Sequence, residues 1–367
     1  MAPARLRAPR PYWTVAVPML AIVLLVLVWH RPLPGLLIAL VVALLVGAVL
    51  AAVHHAELIA HRVGQPFGAL VLAVAVTLIE VALIVTVMAD GGPEAAGLAR
   101  DTVFAAVMIT CNGIVGLSLL VGAVRRRVAV FNAEGTGASL AAVCTVATLS
   151  MVLPTFTTST PGPRFSRAQL IFAAVSALIL YALFVATQAV RHRSHFLPIT
   201  TEGRVVETEE HVHPPTLAQS WTSLVLLGIS LAGVVGLAKS VSPAVESGVH
   251  TAGLPPSVVG VVIALLVLLP ESLAAVRAAL RDRVQTSLNL GLGSAMASIG
   301  LTIPAVSAAS AWLPGPLLLG LDATHIVLLA LTVAVGTLTV IPGRATPLQG
   351  GIHLAVLAAY LVLAVSP

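Results

Sequence analysis

The sequence predicts an all-α polytopic membrane protein of about eleven transmembrane helices: one extra N-terminal helix, then two inverted five-helix repeats. Three observations lead there. Hydrophobic residues fill 58% of the 367 positions, charged residues only 9%, and mean hydropathy is +1.05, values foreign to soluble domains. Apolar runs recur at roughly the 20 residues that a helix needs to cross about 30 Å of hydrocarbon. The second half of the chain then repeats the polar landmarks of the first half in the same order.

In chain order the runs cover 12–29, 35–53, 67–89, 102–123, 136–153, 168–190, 220–239, 256–276, 287–310, 324–341 and 349–365. Residues 1–30 form the extra helix. It follows Arg5, Arg7 and Arg10 and ends in Val-Trp-His-Arg-Pro, without a small-residue cleavage pattern, so it reads as a retained span rather than a signal peptide. Residues 35–190 form the first five-helix repeat. The polar stretch 191–218 carries Glu202, Glu207, Glu209 and Glu210 with His192, His195, His211 and His213, and it reads as a solvated cytoplasmic linker. Residues 219–367 form the second repeat.

The repeat rests on spacing. Glu57-x3-His61-x2-Gly64-x-Pro66 recurs as Glu246-x3-His250-x2-Gly253-x-Pro255, at a constant offset of 189. Glu80 answers to Glu271 at an offset of 191, and Thr110, Gly116, Leu117 and Ser118 answer to Ser294, Gly300, Leu301 and Thr302 at an offset of 184. Five spans separate equivalent helices. Five is odd, so the two copies lie upside down relative to one another, as in many secondary transporters.

The net charge of +5 and a pI near 10 do not point to nucleic acid, because the arginines are scattered through short loops without interleaved aromatics. They report orientation instead. With the N-terminus inside, Arg5, Arg7, Arg10, Arg62, Arg125, Arg126, Arg127, Arg191, Arg193, Arg204, Arg277, Arg281, Arg283 and Arg344 share the cytoplasmic side, 14 of the 19 basic residues. Cys111 and Cys144 both fall in spans at no metal-ligand spacing and read as packing residues. No His-Glu-x-x-His helix or serine nucleophile elbow appears, so the expectation is a transporter with no cofactor and no catalytic residues.

Two residues carry the functional signal. Glu80 and Glu271 stand alone in long apolar runs, and a charged side chain at the bilayer centre costs roughly 3 kcal/mol even on a lenient scale. No lysine or arginine falls in the middle of a span. Arg277 follows Glu271 by six residues, which is about 9 Å of rise and a rotation of about 240°, so it faces elsewhere. The carboxylates therefore need mobile partners, protons or hard cations held by oxygen ligands. Thr77, three residues before Glu80, shares its helical face; Thr110 and Asn112, with Ser294 and Ser298 in the other half, complete the candidate shell. Pro270 removes an amide donor and frees the Leu266 carbonyl. Glu57, Glu246, His61 and His250 are candidate vestibule groups near the two surfaces. A cation between the paired carboxyls expels protons, and protons expel the cation, which is a physical basis for exchange. A passive cation channel lined by the same glutamates is the alternative.

The stretch Ala56-Glu57-x2-Ala60-x3-Gly64-x3-Gly68-x-Leu70, leading to Glu80, resembles the first repeat of the cation/proton exchanger branch of the calcium/cation antiporter superfamily. Gly253-Leu254, Pro270-Glu271, Ala274-Ala275-Val276 and Gly293-Ser294 through Pro304 resemble its second repeat. The likeness is to bacterial ChaA-type sodium, potassium or calcium/proton antiporters. It implies export of Ca2+, Na+ or K+ driven by entering H+, paired repeat glutamates at the ion site and a place in a bacterial inner membrane. The chain departs from the branch where Gly-Asn-x-x-Glu is usual: it has Val76-Thr77-Leu78-Ile79-Glu80 and Val267-Leu268-Leu269-Pro270-Glu271. Asn112 matches the asparagine of the next helix, while Ala297 stands where its repeat partner usually has glutamine. A shell poorer in amides leaves room for sodium or potassium.

Overall fold

The computed structural model describes residues 12–29, 31, 33–64, 67–89, 95–199, 204, 215–313 and 315–366. These residues form eleven helices: α1 Trp13–Val28, α2 Gly35–Val63, α3 Phe67–Ala89, α4 Ala96–Arg126, α5 Ala133–Phe156, α6 Arg167–Arg191, α7 Leu217–Thr251, α8 Ser257–Leu280, α9 Val284–Ala309, α10 Ala323–Val340 and α11 Pro347–Val365. Among the described residues nine helices are long and apolar enough to cross a bilayer; α1 is a shorter apolar helix. The chain is a multi-pass membrane protein.

The local sequence explains most of the ends. Asn132 caps α5 by accepting from the Glu134 and Gly135 amides, and Ser166 and Thr216 close capping boxes with Gln169 and Gln219 at the starts of α6 and α7. Gly64, at φ +77°, supplies the left-handed residue that ends α2. Two ends correct the sequence reading. The second span was expected to stop at 53 and the seventh at 239, but α2 runs to Val63 and α7 to Thr251. Hydropathy marks where lipid contact weakens, while the backbone stays helical until a residue breaks it. Glu57, His61, Glu246 and His250 consequently ride on the last turns of helices. α8 also passes through Pro270 without a break.

Helix packing exchanges between the two halves. α3 packs on α9 as α8 packs on α4; α4 packs on α11 as α9 packs on α6; α2 pairs with α7 and α5 with α10. This is the pattern of a pseudo-twofold relation between α2–α6 and α7–α11. α1 lies outside it, against α2 and α7. Apolar side chains form two cores, one around α4, α5, α6, α9 and α11, the other around α1, α2, α3 and α7. The central helices α3, α4, α8 and α9 bridge them.

Loop contacts sort by side. Arg126 meets Asp282 at 3.0 Å, Arg62 donates to the Pro215 carbonyl at 3.1 Å, and Ala129–Val130 pairs antiparallel with Arg344–Ala345. The Leu318 and Gly320 amides bond Ala96 and Pro163 on the other face, where Arg100 pairs with Asp101. The arginine-rich loops thus share one face, as alternating spans require.

Candidate functional site

The site forms where α3 and α8, the equivalent second helices of the two halves, meet α9. α3 carries Glu80 thirteen residues from Phe67, about 20 Å along the helix, with its side chain 3% exposed. α9 presents Ser294, Ser298 and Thr302 at i, i+4 and i+8, a stripe of hydroxyls on one face. Ser298 Oγ donates to Glu80 Oε1 at 2.8 Å. Thr302 is fully buried, and its hydroxyl is a second polar neighbour of the Glu80 carboxyl. Thr77, also buried, lies one turn before Glu80 on α3.

Glu271 sits nine residues before the end of α8, about 14 Å from the arginine-rich face. Its Oε2 is buried without a hydrogen-bond partner, within electrostatic range of Glu80 and Glu57. Glu80 is thus held by a hydroxyl, while one oxygen of Glu271 is buried without a hydrogen-bond partner. Glu57 is exposed on α2, in range of His61 and Arg277. His250 is exposed at the end of α7, and the side chain of Glu246 lies outside the described residues, as do Glu202, Glu207, Glu209, Glu210, His211 and His213 of the linker.

α4 behaves differently from its sequence expectation. A π turn at Ile109–Ile114 carries Thr110 and Asn112, and such turns concentrate at functional sites. Thr110 Oγ1 donates to the Ala106 carbonyl at 2.7 Å, leaving only its lone pairs to offer. Asn112 is turned to another cluster. Its Nδ2 donates to Thr332 Oγ1 at 2.9 Å, and its Oδ1 accepts from His353 Nδ1 at 3.2 Å. Thr332 in turn donates to the Leu328 carbonyl, and Thr339 Oγ1 lies 3.3 Å from His353 Nε2. Asn112 donates through Nδ2, so its Oδ1 can only accept; His353 therefore holds its proton on Nδ1 and accepts from Thr339 on Nε2.

Thr302 entered the sequence reading only as a repeat landmark, and His353 was not singled out. The Ser294-x3-Ser298-x3-Thr302 spacing carried the signal for the first. A lone histidine inside the last apolar run carried it for the second, by the same logic that isolates Glu80. Among the described residues no group of three or more His, Cys, Asp and Glu comes together.

Eleven helices in two exchanged halves, with a lone glutamate in the second helix of each half, are the architecture of an exchanger family. The family profile described as sodium/calcium exchanger protein matches residues 33–190 and 222–366, and the chain belongs to that family. The chain is 44% identical to y4hA of Sinorhizobium fredii (strain NBRC 101917 / NGR234) over 97% of each protein. It is 32% identical to the sodium-potassium/proton antiporter ChaA of Escherichia coli (strain K12) over 94% of each. The crystal structure of the H+/Ca2+ exchanger CAX shares the fold at a TM-score of 0.68 and 15% identity, covering 96% of this chain and 92% of that one.

Proposed function

We propose that this exchanger is a cation/proton antiporter that moves Na+, K+ or Ca2+ outward against H+ by alternating access. Glu80 and Glu271 bind cation and protons competitively. The observations that carry this reading are a buried carboxylate held by Ser298 in one half and, in the other, a carboxylate with one buried oxygen that has no hydrogen-bond partner, with no lysine or arginine bonded to either among the described residues. Two such charges in a low-dielectric interior repel, so a proton or a metal ion must join them. Thr77, Ser294, Ser298 and the lone pairs of Thr110 supply further hard oxygens, and Thr302 backs Glu80. Asn112 braces α4 against α10 and α11 and stands outside the shell in this arrangement. The antiport itself is supported by the 32% identity to a protein named as a sodium-potassium/proton antiporter.

The working parts follow the halves: residues 1–30 as an extra helix, 35–190 and 219–367 as the moving repeats, and 191–218 as the cytoplasmic linker. We place the chain in a bacterial inner membrane with the arginine-rich loops inside, by the positive-inside rule. Glu57, with His61 and Arg277 near it, forms the cytoplasmic vestibule through which ions reach Glu271; Glu246 and His250 are the counterparts at the opposite surface. Everted vesicles with a pH-sensitive dye test the reading. Adding the transported cation must dissipate an imposed pH gradient, and sodium, potassium and calcium scanned in turn name the substrate. A dye signal that none of the three cations changes would sink it.

A further inference from the structure

Three short connections gather arginines at one spot on the arginine-rich face. Arg125, Arg126 and Arg127 end α4, Arg281 begins the turn from α8 into α9, and Arg344 lies between α10 and α11; all five are exposed. Asp282 draws the first two connections together, its carboxylate lying 3.0 Å from Arg126 and 3.9 Å from Arg125. The third joins through the strand pair, in which Val130, three residues beyond Arg127, stands opposite Arg344. Asp282 is thus matched by Arg125 and Arg126. Among the described residues the side chains of Arg127, Arg281 and Arg344 make no hydrogen bond or ion pair.

Two further features set this patch apart from arginines that only fix orientation. Arg127 at φ +67° and Asp282 at φ +61° are the only non-glycine residues with positive φ among the described residues. That conformation crowds the Cβ, and glycine would relieve it at either position, so the fold tolerates strain here while keeping charged side chains. On the membrane side lie exposed alkyl groups: Val124 precedes Arg125, Leu280 precedes Arg281, and Ile341 and Leu348 flank Arg344 within four residues. Alkyl groups rimmed by guanidinium at a membrane boundary match the acyl chains and the phosphate of a lipid, and guanidinium pairs bidentately with phosphate. We propose that this patch binds the headgroup of an anionic phospholipid, with Arg127, Arg281 and Arg344 contacting the phosphate and the Arg126–Asp282 pair holding the loops in place.

The full chain in detergent is titrated with phosphatidylglycerol or phosphatidylcholine, and bound lipid is counted by native mass spectrometry. Each arginine beside an anionic headgroup strengthens binding about fivefold. The wild type should therefore prefer phosphatidylglycerol by about tenfold or more, and the triple variant Arg127→Gln, Arg281→Gln, Arg344→Gln should lose that preference. Arg191→Gln combined with Arg193→Gln, at two exposed arginines elsewhere on the same face, should keep it. An unchanged preference in the triple variant overturns the proposal, as does an equal loss in the Arg191 and Arg193 variant, which would reduce the effect to net charge. Inorganic phosphate at matched concentration should leave the lipid bound; displacement by phosphate alone would assign the patch to a free anion and overturns the proposal too. If the triple variant fails to fold, Arg344→Gln alone decides: a preference lowered about fivefold supports the site, and an unchanged one overturns it.

Discussion

The Ser298 hydrogen bond to Glu80, at 2.8 Å, is the contact on which the residue-scale account turns. A hydrogen bond to a charged group contributes about 1.5–3 kcal/mol. Ser298→Ala should therefore raise the half-saturating cation concentration by about tenfold or more, read from dye traces at fixed pH. Glu80 and Glu271 stand out in the sequence because an isolated acid in an apolar run has few explanations. Asn112 was legible as a polar group that must find partners, but not as a brace. Its partners Thr332 and His353 lie more than two hundred positions along the chain, and spacing within one helix does not say which neighbouring helix an amide meets. Asn112→Leu strands the His353 donor in the core, which costs about 1–3 kcal/mol; the expected outcome is a lower unfolding midpoint in detergent, with the Thr332→Val variant lowered less.

At the scale of elements, close approach decides the packing. A Cβ on Gly350 would lie 2.6 Å from the Leu120 amide nitrogen and 2.8 Å from the Gly116 carbonyl oxygen, so α11 and α4 touch backbone to backbone there. Gly350→Val should force these helices apart and remove most of the folded protein recovered from membranes, measured by size-exclusion profile; a normal profile would contradict the packing described. The third span was expected at 67–89 and appears as Phe67–Ala89, because Pro66 and the Gly91-Gly92-Pro93 stretch punctuate both ends in the sequence. α2 and α7 outran their expected ends because nothing in Glu57, His61, Glu246 or His250 breaks a helix; polarity alone was mistaken for a boundary. The exchanged pairing of helices was legible only as repeated landmarks, and the contacts that realise it join residues from opposite halves.

Across the whole molecule, the arginine-rich face is tied together by Arg126 and Asp282, between two left-handed residues, Arg127 at φ +67° and Asp282 itself at φ +61°. The hydrogen bond from Arg126 holds the Asp282 carboxyl below the ordinary aspartate range. A lowered folded pKa contributes stability above the unfolded value of about 3.9 and loses it as pH falls through the folded value. The thermal advantage of the wild type over Asp282→Asn in detergent should accordingly shrink on acidification below about pH 4. Under the competition proposed for the carboxylate pair, the half-saturating cation concentration should rise as pH falls. The most direct measurement of the central claim is uphill transport in proteoliposomes under an imposed pH gradient. The account predicts that the cation accumulates against its own gradient in the wild type, and that Glu80→Gln and Glu271→Gln each abolish this while inserting normally. Purely downhill flux in the wild type, or accumulation persisting in either variant, would contradict it.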